Sequence, residues 1–146
     1  MKKNNFRKVI VFFMAFLICF TAFSFENIPY QLNAQFVIDE NSTDYQNCGV
    51  NIDFCNSSEK SVKNFEVVFY LFDRDGEPAV EYWDEISFII ENEVGLGELF
   101  STCLSLDSYI NEVPEYLLMV DYLFIRKIEY VDGSVWEDPY GLLAFM

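Results

Sequence analysis

The sequence predicts an all-β protein, namely an antiparallel sandwich of two sheets with about seven strands. Short segments in which apolar and polar residues alternate recur along the chain, and turn residues separate them at short intervals, as is typical of such sandwiches. Residues 107–119 have roughly helical spacing, but Pro114 limits any helix to a turn or two and indicates a crossover between sheets. The chain of 146 residues, 52% of them hydrophobic, is long enough for one domain with its own core.

The first strands are expected around residues 34–38, over residues 50–54 and over residues 65–72. The polar stretch at residues 39–47 has the composition of a linker. The third strand is apolar on both faces and is therefore expected to be central or covered on both sides. Residues 73–76, Asp-Arg-Asp-Gly, predict the turn that ends it. One face of this third strand carries Phe65, Val67, Phe69 and Leu71. The other face carries Glu66, Val68, Tyr70 and Phe72.

The later strands are expected over residues 86–90, 100–106 and 121–131. Arg126 interrupts the apolar side of the last of these, which predicts a bulge or a charge at the sheet edge. The dipeptide Asp132-Gly133 predicts a short hairpin, after which Trp136 belongs to the returning strand. By simple alternation, four apolar residues of the long last strand are expected on one face: Tyr122, Phe124, Ile128 and Tyr130.

The N-terminal segment has the layout of an export signal. Four basic residues within residues 2–8 precede an apolar run at residues 9–20, and small residues follow. We expect a signal helix in residues 1–24, cleavage after Ser24 and a single domain at residues 25–146. Two alternatives remain open: residues 9–25 are retained as a membrane anchor, or Cys19 carries a lipid. The expected location is secreted or extracytoplasmic, at the cell envelope.

The charge of the chain argues against several partners. Its formal net charge is −15, and removal of residues 1–24, which hold four of the nine basic residues and no acidic one, makes it −19. Such a surface repels phosphate backbones, so nucleic acid is not expected as a partner. Anionic lipid surfaces are repelled too, so a membrane contact is expected only through an uncleaved N-terminal segment. A protein partner is the remaining expectation.

The third strand carries a resemblance to a known family. Residues 69–73, Phe-Tyr-Leu-Phe-Asp, resemble the F-x-L-Y-D signature of bacterial FxLYD-type domains, with Phe72 in place of the tyrosine. An asparagine-containing strand and a polar turn precede the motif at residues 53–58, and a turn with Gly76 follows it. Residues 128–136 look similar to the closing hairpin of related modules. The resemblance implies an immunoglobulin-like or fibronectin-type sandwich in an exported or envelope protein, and it implies no catalytic function.

Cysteine and carboxylate positions give few site candidates. Cys55 and Cys103 both fall on the outward parity of their strands, so a disulfide between them is conceivable, while an odd count with Cys48 also allows three reduced thiols. No metal site and no cofactor are predicted, because the chain has no histidine and its cysteines lack zinc spacing. Asp73 and Asp75 resemble a fragment of a calcium loop, but a hairpin turn explains them better.

Aromatic residues near turns are the best candidates for a binding site: Tyr82, Trp83, Trp136 and Tyr140. Such rings stack on sugars or anchor a protein partner, although Trp136 after a short hairpin also fits core packing. No enzyme is predicted, because without histidine a nucleophile lacks its commonest base. We therefore expect an exported, non-catalytic binding or structural module that contacts a protein. The alternatives are a carbohydrate-binding module and an anchored subunit that docks a partner on the Val68, Tyr70 and Phe72 face.

Overall fold

Seven antiparallel strands make up the regular structure of the computed structural model, which describes residues 28–80 and 85–145. The predicted signal helix at residues 1–24, with its anchor and Cys19 alternatives, lies outside the described residues. The strands are β1 (Tyr30–Val37), β2 (Gly49–Asn56), β3 (Val62–Phe72), β4 (Ile86–Ile90), β5 (Leu99–Ser105), β6 (Met119–Tyr130) and β7 (Val135–Glu137).

The strands form two sheets, with the order β1-β2-β5 in the smaller sheet and β4-β3-β6-β7 in the larger one. The predicted all-β antiparallel sandwich of seven strands is thereby confirmed. The fourth strand lies beside the third, whereas in constant-type immunoglobulin domains it joins the sheet of the first, second and fifth strands. No helix in the described part of the chain has the length and apolar character needed to cross a membrane.

The core lies between the sheets and is dominated by aromatic and β-branched side chains. The rings of Phe54 on β2 and Phe65 on β3 stack with centroids 4.1 Å apart, and this contact joins the two sheets at their centre. Phe69 on β3 and Ile52 on β2 are also fully buried. Each such side chain contributes about 1.5–3 kcal/mol through removal of its apolar surface from water. The face of the third strand that carries Phe65, Val67, Phe69 and Leu71 is therefore the one that forms the core.

Strand β6 departs from regular alternation, as the position of Arg126 predicted. Glu66 pairs with Lys127 and the next β3 residue, Val67, pairs with Ile125, so Arg126 is an extra residue in a bulge. A second register shift lies near Tyr122. The prediction that Tyr122 and Phe124 share a face with Ile128 and Tyr130 is wrong, because the extra residue at position 126 inverts the alternation. Ile128 and Tyr130 belong to the core, whereas Phe124 lies opposite Val68 on the outer face.

The bulge in β6 is tied to the opposite sheet by Tyr30 on β1. The backbone N–H of Ile125 donates a hydrogen bond of 3.1 Å to the Tyr30 hydroxyl inside the core. In a regular strand such a group points toward the neighbouring strand instead, so the bond accompanies the bulge. Burial raises the pKa of the Tyr30 phenol, which keeps the hydroxyl neutral.

The loop at residues 39–47 connects β1 and β2 and is attached to the segment after β5. The carboxylate of Asp107 accepts hydrogen bonds of 2.8 Å from the backbone N–H groups of Gln46 and Asn47. These donors lower the pKa of Asp107, because they stabilise its charged form. The predicted linker at residues 39–47 is thus a loop that connects two strands of the smaller sheet. Residues 107–119 make the predicted crossover from the smaller sheet to the larger one.

The two edge strands of the smaller sheet, β1 and β5, contain no charged residue. Their outward side chains continue a polar surface across β2, where Asn33, Asp53 and Ser101 stand side by side in register. The Ser101 hydroxyl donates to the Asp53 carboxylate at 2.6 Å. The outer face of this sheet is therefore polar, in contrast to the face described below.

Asn56, at the end of β2, is a fully buried polar residue that joins three segments of the chain. Its side-chain amide donates to the carbonyl groups of Lys60, Val94 and Gly95 at 2.8–3.1 Å. Its side-chain oxygen accepts from the backbone and hydroxyl of Ser58. These bonds hold the β2–β3 turn against the connection between β4 and β5.

We expect Asn56→Ala to lower the free energy of unfolding by about 2–3 kcal/mol, because it removes every hydrogen bond that this buried side chain makes to the three carbonyl groups and to Ser58. Asn41→Ala is the matched control, since Asn41 is exposed, and it should change stability by less than about 0.5 kcal/mol. Urea denaturation measures both values. Equal losses in the two variants would contradict a structural role for the Asn56 amide.

Candidate functional site

The outer face of the larger sheet is divided into a charged half and an aromatic half. In the charged half, the guanidinium of Arg126 donates to Glu66 at 2.9 Å and to both oxygens of Glu85 at 2.6 and 2.7 Å. The hydrogen bond that Arg126 donates to Glu85 raises the pKa of Arg126. The bulge therefore turns Arg126 outward, where it joins β3 to the residue that precedes β4.

The aromatic half contains a groove of about 390 Å³, which we call the aromatic groove. Its walls come from β3, from β6 and from the segment after β7, and Glu85 stands at its border with the charged half. The residues that line it are Tyr70, Phe72, Glu85, Tyr122, Phe124, Pro139, Tyr140 and Phe145. The volume falls within the range of small-ligand or side-chain pockets.

The segment 138–145 forms one wall of the groove and is ordered by Asp138. This carboxylate is buried and accepts hydrogen bonds of 3.0 Å from the backbone N–H groups of Leu142 and Leu143. The Asp138 N–H donates to the Arg126 carbonyl, which attaches the segment to β6 beside the bulge. The ring of Phe145 then lies 5.8 Å from that of Tyr122, centroid to centroid.

Gly141 allows this segment to lie close to β6. Its φ is +66°, and a Cβ atom at this position would stand 2.8 Å from the ring of Phe124. Only glycine combines this backbone conformation with so close an approach. Phe124 is consequently buried, although it is on the outer face of the sheet.

Tyr122 occupies the centre of the groove in a strained backbone conformation. Its φ is +49°, and it is the one non-glycine residue with positive φ in the described part of the chain. For a tyrosine this conformation costs about 1–2 kcal/mol. The residue is 53% exposed, and its ring meets the ring of Tyr70 edge to face at 5.9 Å. Backbone strain at a residue with an exposed side chain is a feature of functional sites.

The structure places the four predicted binding aromatics differently. Tyr140 lies in the aromatic groove and is 80% exposed. Trp136 pairs with Ile128 and so lies on the inner face, where its ring meets that of Tyr30 at 5.6 Å. Its indole N–H has no hydrogen-bond partner among the described residues. Tyr82 and Trp83 lie outside the described residues.

The residues of the motif at positions 69–73 have three different environments: the core, the aromatic groove and the turn after β3. Phe69 and Leu71 point into the core, Tyr70 and Phe72 line the aromatic groove, and Asp73 makes the turn that follows. The Asp73 carboxylate accepts from the backbone N–H groups of Asp75 and Glu77 at 2.8 and 2.9 Å. Its role in the turn agrees with the interpretation favoured over a calcium loop.

The three cysteines described are free, and a bridge between Cys55 and Cys103 does not fit the register. Cys55 pairs with Leu99 and Cys103 pairs with Asn51, so the two thiols are four residues apart along the same pair of strands. That separation is about 13 Å, roughly twice what a disulfide spans. Cys48 is buried, and burial raises the pKa of its thiol to about 11.

Within the described residues, no group of three or more His, Cys, Asp or Glu side chains is placed to hold a metal ion. The carboxylates near the closing hairpin serve local structure instead. Asp132 accepts from Ser134 and pairs with Lys60 at 3.0 Å, and the Ser134 hydrogen bonds are the main reason that its pKa is lowered to about 2. Asp138 orders the segment 138–145 as described above.

Sequence reasoning missed three aromatic residues of the groove, Tyr122, Phe124 and Phe145, and also Glu85 and Pro139. The first two were assigned to the other face by simple alternation, although Arg126 gave the signal for the bulge that inverts it. For Phe145 the signal was weaker. It consisted of an Asp-Pro pair followed by Gly141, which is typical of a capped turn.

The fold and this site define the chain as a small antiparallel β-sandwich with an exposed aromatic groove on its larger sheet. Comparison with protein-family models, with curated proteins and with solved structures found no match.

We expect Gly141→Ala to detach the segment 138–145 from Phe124, because the added methyl group meets the ring. Gly133→Ala is the matched control, since Gly133 also has positive φ but nothing lies within 4 Å of its Cβ position. Both changes cost about 1 kcal/mol in backbone strain, and Gly141→Ala should cost at least about 1 kcal/mol more. Chemical denaturation and the aromatic NMR signals of Phe124 and Phe145 check this. Equal losses with unchanged signals in both variants would refute the contact.

Proposed function

We propose that the protein is an exported, non-catalytic binding module and that the aromatic groove holds a protein partner. One observation carries the proposal. Tyr122 has a strained backbone conformation and is half exposed, with its ring in contact with the rings of Tyr70 and Phe145. Exposed aromatic clusters of this kind form the centres of protein interfaces, where tyrosine is over-represented. The resemblance of residues 69–73 to FxLYD-type domains supports the same class, since two of the five residues line the groove.

The lining of the groove favours binding over catalysis. Glu85 is the one carboxylate among the lining residues described, and both of its oxygens are occupied by Arg126. General acid–base catalysis needs a titratable group within reach of a substrate, and usually two. The groove offers contact area and ring faces instead.

The orientation of the rings favours a protein partner over a carbohydrate. Sugar rings stack best on flat, exposed aromatic platforms, whereas the planes of Tyr70 and Tyr122 stand at 80° and those of Tyr122 and Phe145 at 69°. The indole of Trp136 is turned to the core. A groove with angled walls accommodates side chains of a partner better than a flat sugar face.

Export is the part of the proposal that rests on the N-terminal sequence. When the full chain is produced in a secreting bacterial host, the intact mass of the recovered protein should correspond to residues 25–146. A mass that includes residues 1–24 would favour the retained anchor. An added lipid mass on a chain that starts at Cys19 would favour the lipoprotein alternative.

A partner in the groove is tested by photo-crosslinking in the cells that produce the protein. We expect a benzoylphenylalanine side chain at position 140 to give a defined protein adduct. The matched control is position 116, because Tyr116 is also an exposed tyrosine, 53% exposed, but does not line the groove. Analysis by gel and mass spectrometry identifies the adducts.

The same experiment with Tyr122→Asn removes the central ring from the groove. Asparagine tolerates the left-handed conformation, so this variant keeps the fold while it loses the ring. The adduct at position 140 should fall severalfold. Identical adducts at positions 140 and 116, a glycan adduct alone, or no adduct at all would refute the proposed protein-binding role of the groove.

A further inference from the structure

We infer that the aromatic groove is a cation site that receives an arginine or lysine side chain of the protein partner. The inference rests on the proposed function and names the chemistry of the anchor. Three observations on the described residues carry it: the charge around the groove, the angle between its rings, and the way in which this chain already uses its own basic residues.

The surroundings of the groove carry excess negative charge. Arg126 is paired with both Glu66 and Glu85, so this triad has a net charge of −1. Asp121, which precedes the central ring, adds a further negative charge, and its carboxylate accepts the Tyr122 N–H at 2.7 Å. The whole chain has a formal net charge of −15. Such a field concentrates cations at the site and repels acidic segments.

The rings form corners that suit a cation. A ring face carries partial negative charge, and a cation within about 6 Å of its centroid is attracted to it. The rings of Tyr70 and Tyr122 stand at 80° with centroids 5.9 Å apart, and those of Tyr122 and Phe145 stand at 69° with centroids 5.8 Å apart. A cation placed in such a corner is within reach of two rings at once. A guanidinium or ammonium group can enter there while its aliphatic stem covers the apolar wall.

The chain uses the same contact elsewhere with its own basic residues. The Arg74 guanidinium lies 4.3 Å from the centroid of the Tyr116 ring, and the Lys60 ammonium lies 5.5 Å from that of Tyr130. The rings of Tyr70, Tyr122 and Phe145 have no such cation among the described residues. The groove thus has the ring faces of a cation site that no basic side chain of the described residues fills, and we assign the cation to the partner.

The test compares two short peptides that differ only in charge. Acetyl-Gly-Leu-Arg-Leu-Gly-amide is titrated into the purified protein, and the same peptide with citrulline in place of arginine is the neutral isostere. NMR shifts of the tyrosine rings report the affinity. We expect the arginine peptide to bind about fivefold to tenfold more tightly, which corresponds to the usual strength of a partly desolvated cation–π contact.

Two variants show where the charge acts. Tyr122→Leu keeps an apolar side chain but removes the ring face, and it should abolish the preference for arginine. Tyr116→Leu is the matched control and should leave that preference unchanged. A preference that survives in Tyr122→Leu, or that is lost equally in Tyr116→Leu, would show general attraction to an acidic surface and overturn the inference.

Equal affinities of the two peptides for the unaltered protein, or no binding of either, would also overturn it. These outcomes differ from failure of the proposed function, which is the absence of a groove-specific protein adduct at position 140. If a specific adduct forms at position 140 but the two peptides bind equally, the protein-binding role of the groove stands and its interface is apolar, without a cationic anchor.

Discussion

The hydrogen bond between the Ile125 amide and the Tyr30 hydroxyl is the contact on which the arrangement of the larger sheet depends. It gives a buried partner to a backbone group that a bulged strand leaves out of the regular ladder, and it does so from the opposite sheet. With the bulge stabilised at this point, β6 can direct Ile125 and Ile128 to the core and Arg126 and Phe124 to the outer face. The core and the candidate site are thus two results of one irregularity.

The position of the rings in the aromatic groove is determined by the backbone conformation more than by attraction between the rings. The conformation of Tyr122 costs about 1–2 kcal/mol, and the burial of Ile125 and Ile128 on the same strand offsets this cost. On the other side, Asp138 and Gly141 bring the final segment onto Phe124, so that a ring from each of three parts of the chain meets at one place. A rigid framework of this kind presents large side chains with little further loss of entropy on binding.

Much of the fold follows from local sequence patterns, because alternation, turn residues and proline act over a few residues. The strand pattern around Phe54 and Phe65 and the bulge at Arg126 could be predicted in this way. The faces of Tyr122 and Phe124 could not, since they depend on how many extra residues the whole strand contains relative to its partner. The Cys55–Cys103 distance depends on the pairing register of two strands 43 residues apart, which neither strand encodes alone. Phe145 required knowledge of which surface the last segment covers.

Because the edge strands of the smaller sheet are uncharged, the acidic composition of the chain also acts against association of the edges of different molecules. Within the described part of the chain, β1 and β5 have a neighbouring strand on one side only. Such edge strands are templates for pairing with another molecule, and most proteins protect them with charges or proline inside the strand. In this chain the net charge of the whole molecule protects the edge strands, because molecules of like charge repel one another before their edges can meet. High ionic strength screens that repulsion, and acid removes it by protonating carboxylates. Colloidal stability of the domain is therefore a property of its medium, as well as of its fold.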